Sequence, residues 1–148
     1  MQTYVIVDVE SDGPIPGDFS MICLGAVIAE PALNRKFYGE LRPISQQWIP
    51  EDLAISGFGR EITLAFDDPV DVISRFGNWL TENVTGRPVL VSDNAGYDWQ
   101  FVNWYFHYFL GRNPFGHSAI DLISEDGERT FYAELSDTYE PDDCGSFA

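Results

Sequence analysis

Residues 3–10, Thr-Tyr-Val-Ile-Val-Asp-Val-Glu, run almost wholly apolar until two carboxylates, Asp8 and Glu10, appear two residues apart. Side chains alternate across a strand, so Tyr4, Ile6, Asp8 and Glu10 share one face and Val5, Val7 and Val9 the other. A run that is apolar on both faces predicts a central strand buried from both sides. Two acids on one face at its end repel each other unless a cation lies between them. The pair is therefore either a metal site or the solvated end of a strand.

The pattern continues as strands and then changes. Turn formers crowd residues 11–18 and predict a loop, and the mostly apolar stretch 20–30 predicts a second strand. Pro31-Ala32-Leu33-Asn34 turns the chain into a third strand over 35–41, giving an antiparallel meander. Residues 46–67 are irregular, with one or two short helices. At Asp68-Pro69 an N-cap residue precedes proline at the first helical position, and Val72, Ile73, Phe76, Trp79 and Leu80 recur at helical spacing up to about Asn83. Thr85-Gly86-Arg87-Pro88 ends that helix, and Val89-Leu90-Val91 is a short buried strand. After 92–98 comes an aromatic helix, Trp99 to Leu110, stopped by Gly111 and Pro114. Strands first, then strand and helix in alternation, predict an α/β fold with a mixed sheet.

Composition narrows what such a fold can do. The 148 residues suffice for one domain with its own core, and 45% hydrophobic residues exclude wholesale disorder. With 24 acids against 8 bases the formal charge is −16, which argues against a broad electrostatic grip on nucleic acid or an anionic membrane. A polyanionic substrate would need metal ions or a small basic patch. Cys23 lies in an apolar run and Cys144 in a polar stretch, so neither a disulfide framework nor a zinc-ligand spacing is present, and a reducing cytoplasm is the expected compartment. The N-terminus does not resemble a signal peptide, and the apolar runs break well before the ~18 residues of a membrane span.

A third acid, Asp98, stands where a helix follows a buried strand. An acid in a first helical turn is favoured by the helix dipole, so Asp98 is either a capping residue, as Asp93 or Asn94 could also be, or part of a site. In combination, Asp8-Val9-Glu10 on a first strand, a following hairpin, and Asn94-Ala95-Gly96-Tyr97-Asp98 opening a helix resemble the DEDD exonuclease family of the ribonuclease H-like fold. The resemblance runs from residue 3 to about 116. The stretches 93–106 and 111–116 are similar to a bacterial and phage 3′-to-5′ exoribonuclease branch. It implies a ribonuclease H-like mixed central sheet flanked by helices, and a two-ion Mg²⁺ or Mn²⁺ site held by Asp8, Glu10 and Asp98. Hard divalent ions prefer carboxylate oxygen, and two of them about 4 Å apart can activate water and steady the leaving oxygen of a phosphodiester.

The family's third motif supplies a fourth Asp preceded by His or Tyr. His107 falls inside the aromatic helix, and His117 to Asp121 is one residue too short for the family's spacing. Tyr139-Glu140-Pro141-Asp142-Asp143 fits the tyrosine form by letter, making Asp143 a fourth ligand and Tyr139 a water-positioning group by resemblance. Against this, Ser20-Met21-Ile22-Cys23-Leu24 and Phe37-Tyr38-Gly39-Glu40-Leu41 recur as Ser118-Ala119-Ile120-Asp121-Leu122 and Phe131-Tyr132-Ala133-Glu134-Leu135. The chain then divides into an exonuclease-like core, 1–116, and a segment, 117–148, that repeats the 20–45 hairpin, replaces the family's last helix and ends in an acidic tail. Such a hairpin could also pair with a second copy, as a homodimer.

Two functions follow. One is a metal-dependent 3′-to-5′ exonuclease acting on single-stranded RNA or short oligonucleotides, impaired by its altered C-terminus, with Phe19 or Trp99 as candidates to stack the terminal base. The other is a non-catalytic metal-binding module of the same fold that acts in binding or assembly.

Overall fold

The computed structural model describes residues 1–122. The apolar run at the start of the chain becomes strand β1 (Gln2–Ser11), and Val5, Ile6 and Val7 on it are fully buried. β2 (Met21–Ile28) returns antiparallel beside it, and β3 (Lys36–Glu40) continues the meander. On the other flank β4 (Arg87–Ser92) runs parallel to β1, and β5 (Ala119–Asp121) runs parallel to β4. The order β3-β2-β1-β4-β5 is the mixed sheet that the pattern predicts, with β1 at its centre.

Helices α1 (Pro50–Ile55) and α2 (Arg60–Thr63) are short pieces of the irregular stretch. α3 (Pro69–Asn83) starts where expected: the Asp68 carboxylate accepts from the Val70 N–H at 3.1 Å, satisfying one of the helix's orphan donors. α4 (Ala95–Leu110) ends on Gly111 at φ 73°, a left-handed conformation that glycine adopts without strain. α3 and α4 cover the sheet face of Val5, Val7 and Val9, bringing Phe76, Phe101, Tyr105 and Phe106 to full burial. Phe76 and Phe106 stack with ring centroids 5.5 Å apart. Burial of one such side chain contributes about 1.5–3 kcal/mol, so these few rings fix α3 and α4 against β1. The opposite face carries Ile6, Val27, Val91 and Leu122, all buried.

Two boundaries differ from the sequence expectation. β4 begins at Arg87, although Thr85-Gly86-Arg87-Pro88 reads as the turn that ends α3. Pro88 is tolerated because β5 pairs only from Leu90 onward, so among the described residues the missing N–H on that flank deprives no strand of a bond. α4 begins at Ala95, four residues before the aromatic run at Trp99 and where the stretch 94–98 is expected to open a helix. The sheet also takes a strand from beyond Gly116, since Ala119–Asp121 is β5. The remainder of the repeated segment, with Tyr139 and Asp143, lies outside the described residues. Among the described residues no helix is long and apolar enough to cross a membrane.

Candidate active site

β1 and β4 are parallel neighbours whose chains depart in opposite senses, one into the hairpin and the other into α4. In open α/β sheets the crevice beyond the carboxyl ends of such a pair is where ligands bind. Here that crevice is a cavity of ≈ 550 Å³ whose walls include Asp8, Glu10, Asp93 and Asp98. Asp8 and Glu10 do open onto the same space, as alternation along β1 requires. The pairing of β1 with β2 shifts register between Glu10 and Ser11, a bulge that ends the regular ladder beside the cavity.

Asp98 is placed by the neighbouring strands as much as by its own helix. Its Oδ1 accepts from the Val9 N–H at 3.2 Å, a main-chain donor lying past the last β1 residue paired with β4. The Ser92 hydroxyl donates to its Oδ2 in a short hydrogen bond and also accepts from the Asn94 N–H at 2.9 Å. One serine thus joins the end of β4, the turn and the carboxylate. Asn94 makes no side-chain cap; Asp121 Oδ2, from the end of β5, accepts from the Ala95 N–H at 3.3 Å instead.

The carboxylates converge closely. Oxygens of Asp8, Asp93 and Asp98, all three buried, lie within 4.8 Å of one another. Burial pushes the Asp98 carboxyl up to about 8, and the negative charges of Asp93 and Glu10 act in the same direction against the Ser92 and Val9 hydrogen bonds. A set of hard oxygen donors so close and so desolvated fits a divalent cation, whose charge offsets a repulsion that protonation otherwise relieves. Tyr97 closes the site on the side of α4; its hydroxyl shares a short hydrogen bond with the Ser11 hydroxyl and is pushed up by burial.

Next to this acid cluster stands an acid with its own cation. Asp12 is fully buried; its Oδ1 accepts from the Ser20 N–H at 2.6 Å and its Oδ2 from Arg60 Nη1 at 2.8 Å. Arg60 also donates to the Ser45 carbonyl at 3.0 Å and lies 5.5 Å over the Trp48 ring. Since the Ile49 N–H donates to the Asp12 carbonyl at 2.8 Å, this knot ties the end of β1 to the segment leading into α1. α1 in turn brings Asp52 and Ile55 to the cavity wall. Gly13, at the same wall, has to be glycine, because a Cβ there would meet the Phe19 ring at 2.1 Å.

Of the residues predicted from sequence, Asp8, Glu10 and Asp98 therefore meet at one cavity, with Glu10 on its wall and outside the tight cluster. Phe19 and Trp99, candidates for base stacking, are not among the cavity-lining residues; Trp99 packs against the core. His107 is exposed on α4. Asp93 is the residue that sequence reasoning left as a capping alternative. Its signal was there, an acid directly after a buried strand, but nothing local distinguishes a turn aspartate from one facing Asp8.

No family profile matches the chain. It is 43% identical over 128 residues to a 3′-5′ DNA exonuclease, Cap18, of Escherichia coli, a match covering 83% of this chain and 67% of that protein. Among solved structures it resembles E. coli exonuclease I in complex with a dA16 oligonucleotide, at a TM-score of 0.68 and 17% identity. The complex of the same enzyme with a dT13 oligonucleotide gives 0.67 at 17% identity. Each of these matches covers 90% of this chain but only 30% of exonuclease I, and the likeness shows the fold.

Proposed function

Because the chain belongs to the DEDD-type 3′-5′ exonucleases, with their ribonuclease H-like fold, we propose that it hydrolyses the terminal phosphodiester at the 3′ end of single-stranded nucleic acid. The observation that carries this reading is the convergence of Asp8, Asp93 and Asp98 within 4.8 Å at the carboxyl ends of two parallel strands. Asp8, Glu10, Asp93 and Asp98 are the groups that would hold divalent cations, Mg²⁺ or Mn²⁺. Such ions, when bound, supply an activated water and neutralise charge on the leaving oxygen. Ser92 and the Val9 N–H hold the Asp98 carboxylate in one orientation, and preorganisation of this kind is what a metal site requires of its supporting residues. Ile55 and Pro14 give the cavity an apolar wall for a terminal sugar and base. Asp143, with Tyr139 beside it as a water-positioning group, is carried in the same proposal as a fourth ligand.

The sugar is tested alongside the activity. The named relative acts on DNA, whereas the motif stretches resemble exoribonucleases, so matched 5′-labelled deoxy- and ribo-oligonucleotides are incubated with Mg²⁺ or Mn²⁺. Stepwise shortening from the 3′ end is expected. Asp98→Asn should lower the rate by about a thousandfold, equivalent to about 4 kcal/mol, and Asp143→Asn tests the fourth ligand in the same assay. Rates no higher than the Asp98→Asn background on every substrate would favour the non-catalytic module.

A further inference from the structure

Affinity for a nucleic-acid backbone comes chiefly from Lys and Arg on phosphates, and the arrangement of those residues here is unusual for a chain that takes a polyanion. Seven of the 8 bases lie within the described residues, Arg129 being the eighth. Arg35, Arg42, Arg60 and Arg75 are paired with Glu30, Asp68, Asp12 and Asp67. The other three, Lys36, Arg87 and Arg112, stand away from the cavity. Arg87 is paired in register with Gln2, at the opposite end of β1 from Glu10. Lys36 faces Val27, whose own partner on β1 is Ile6, below the level of Asp8. Arg112 follows the C-terminus of α4, a helix of 16 residues with Asp98 in its first turn, and so lies about 20 Å away along the axis.

The cavity itself is lined by five acids, Asp8, Glu10, Asp52, Asp93 and Asp98, and by no Lys or Arg among the described residues. A phosphate entering it is repelled by every charged side chain on its walls until cations bind. Phosphates further along the strand leave the cavity over a protein of formal charge −16. Among the described residues the nearest basic side chain is Arg60, already paired with Asp12, and no Lys or Arg on the cavity walls holds them.

We infer that this chain grips a single strand by its 3′-terminal nucleotides alone, acts distributively, and takes short oligonucleotides as well as long strands. The inference rests on the exonuclease reading above and adds to it the substrate class and the mode of binding. Contacts in the cavity set the affinity, so chain length beyond the first few nucleotides adds nothing. Outside the cavity, screening by monovalent salt weakens repulsion instead of attraction, so the strand beyond the first few nucleotides adds no loss of affinity with salt.

The test is fluorescence anisotropy of 3′-accessible, 5′-labelled oligothymidylates with the full chain at saturating Mn²⁺, with turnover followed separately on the same substrates. Affinity is expected to change less than about twofold between ~3 and ~24 nucleotides, and to hold or rise from ~20 to ~200 mM NaCl. Two phosphate contacts outside the cavity would instead give a log–log salt slope of about −1.4, a loss of about 25-fold over that range. Such a slope, or affinity rising tenfold or more with length, overturns the inference, as does failure to bind at any length. Binding that follows the expected pattern without hydrolysis sinks the exonuclease reading, and the distributive action with it, and leaves only the terminal grip standing.

Discussion

Asp12 and Asp98 are both buried carboxylates, 0% and 1% exposed, at the same end of the sheet, and the protein treats them in opposite ways. Burial raises the pKa of each, and each accepts a main-chain N–H, from Ser20 and Val9 respectively. Asp12 then receives a guanidinium, from Arg60, which is itself anchored to the Ser45 carbonyl and the Trp48 ring. Asp98 receives the Ser92 hydroxyl and, among the described residues, no cation; the side chains around it are the acids Asp8, Asp93 and Glu10. A fold that needs a buried carboxylate for structure provides its counter-charge from within. At Asp98, which is proposed to hold an ion, the counter-charge would come from solvent, at a cost in stability of the metal-free protein.

The comparison breaks most visibly at Arg60. Arg60→Ala takes the cation from the buried Asp12 carboxyl, which must then stay charged and unpaired or take up a proton, and urea unfolding should show a loss of about 3–5 kcal/mol. A loss below about 1 kcal/mol would class the pair with ordinary exposed ion pairs and remove the contrast with Asp98.

The next effect is one of pH. Asp98 holds its proton in the folded metal-free protein up to about 8, whereas the unfolded chain releases it near its ordinary value of 3.8. The stability this contributes is full below the unfolded value and is lost as pH rises through the folded one. Calorimetry without metal should therefore show stability falling between pH ~4 and ~8, at a slope of at most about 1.4 kcal/mol per pH unit, in a manner that Asp98→Asn flattens. Asp12, shifted in the same direction, adds to the same trend. An upward slope over that window would show Asp98 to be already compensated as a carboxylate.

The smallest change tests whether Asp93 belongs with Asp98. Asp93→Asn keeps the size of the side chain and removes one of three converging charges. Mn²⁺ affinity measured by titration calorimetry should drop about tenfold, or about 1.4 kcal/mol. An unchanged affinity would return Asp93 to the role of a turn residue.

Much of this architecture is visible in local pattern. The central position of β1 follows from apolar residues on both of its faces, and the start of α3 from Asp68-Pro69. Asp8, Glu10 and Asp98 could be picked out together because Asp-x-Glu ends a strand and Asn94-Ala95-Gly96-Tyr97-Asp98 follows one. What escaped notice has a common cause. The aromatic run that marks α4 begins only at Trp99, while the helix starts at Ala95, where the stretch 94–98 places it; what no local pattern showed is that Asp121, from another strand, accepts from the Ala95 N–H there. Pro88 concealed the start of β4, since only the absence of a partner beside it makes proline acceptable there.

Periodicity and residue type along the chain were thus enough to determine which segments become strands and helices and which acids stand at their ends. Both depend on neighbours within a few positions, where the strand and helix repeats operate. The pairing of Asp12 with Arg60, 48 residues away, and the approach of Asp93 to Asp8 were decided only when the sheet formed. Those contacts join residues brought close by strand order and by the burial of α4, and no spacing in the chain encodes them.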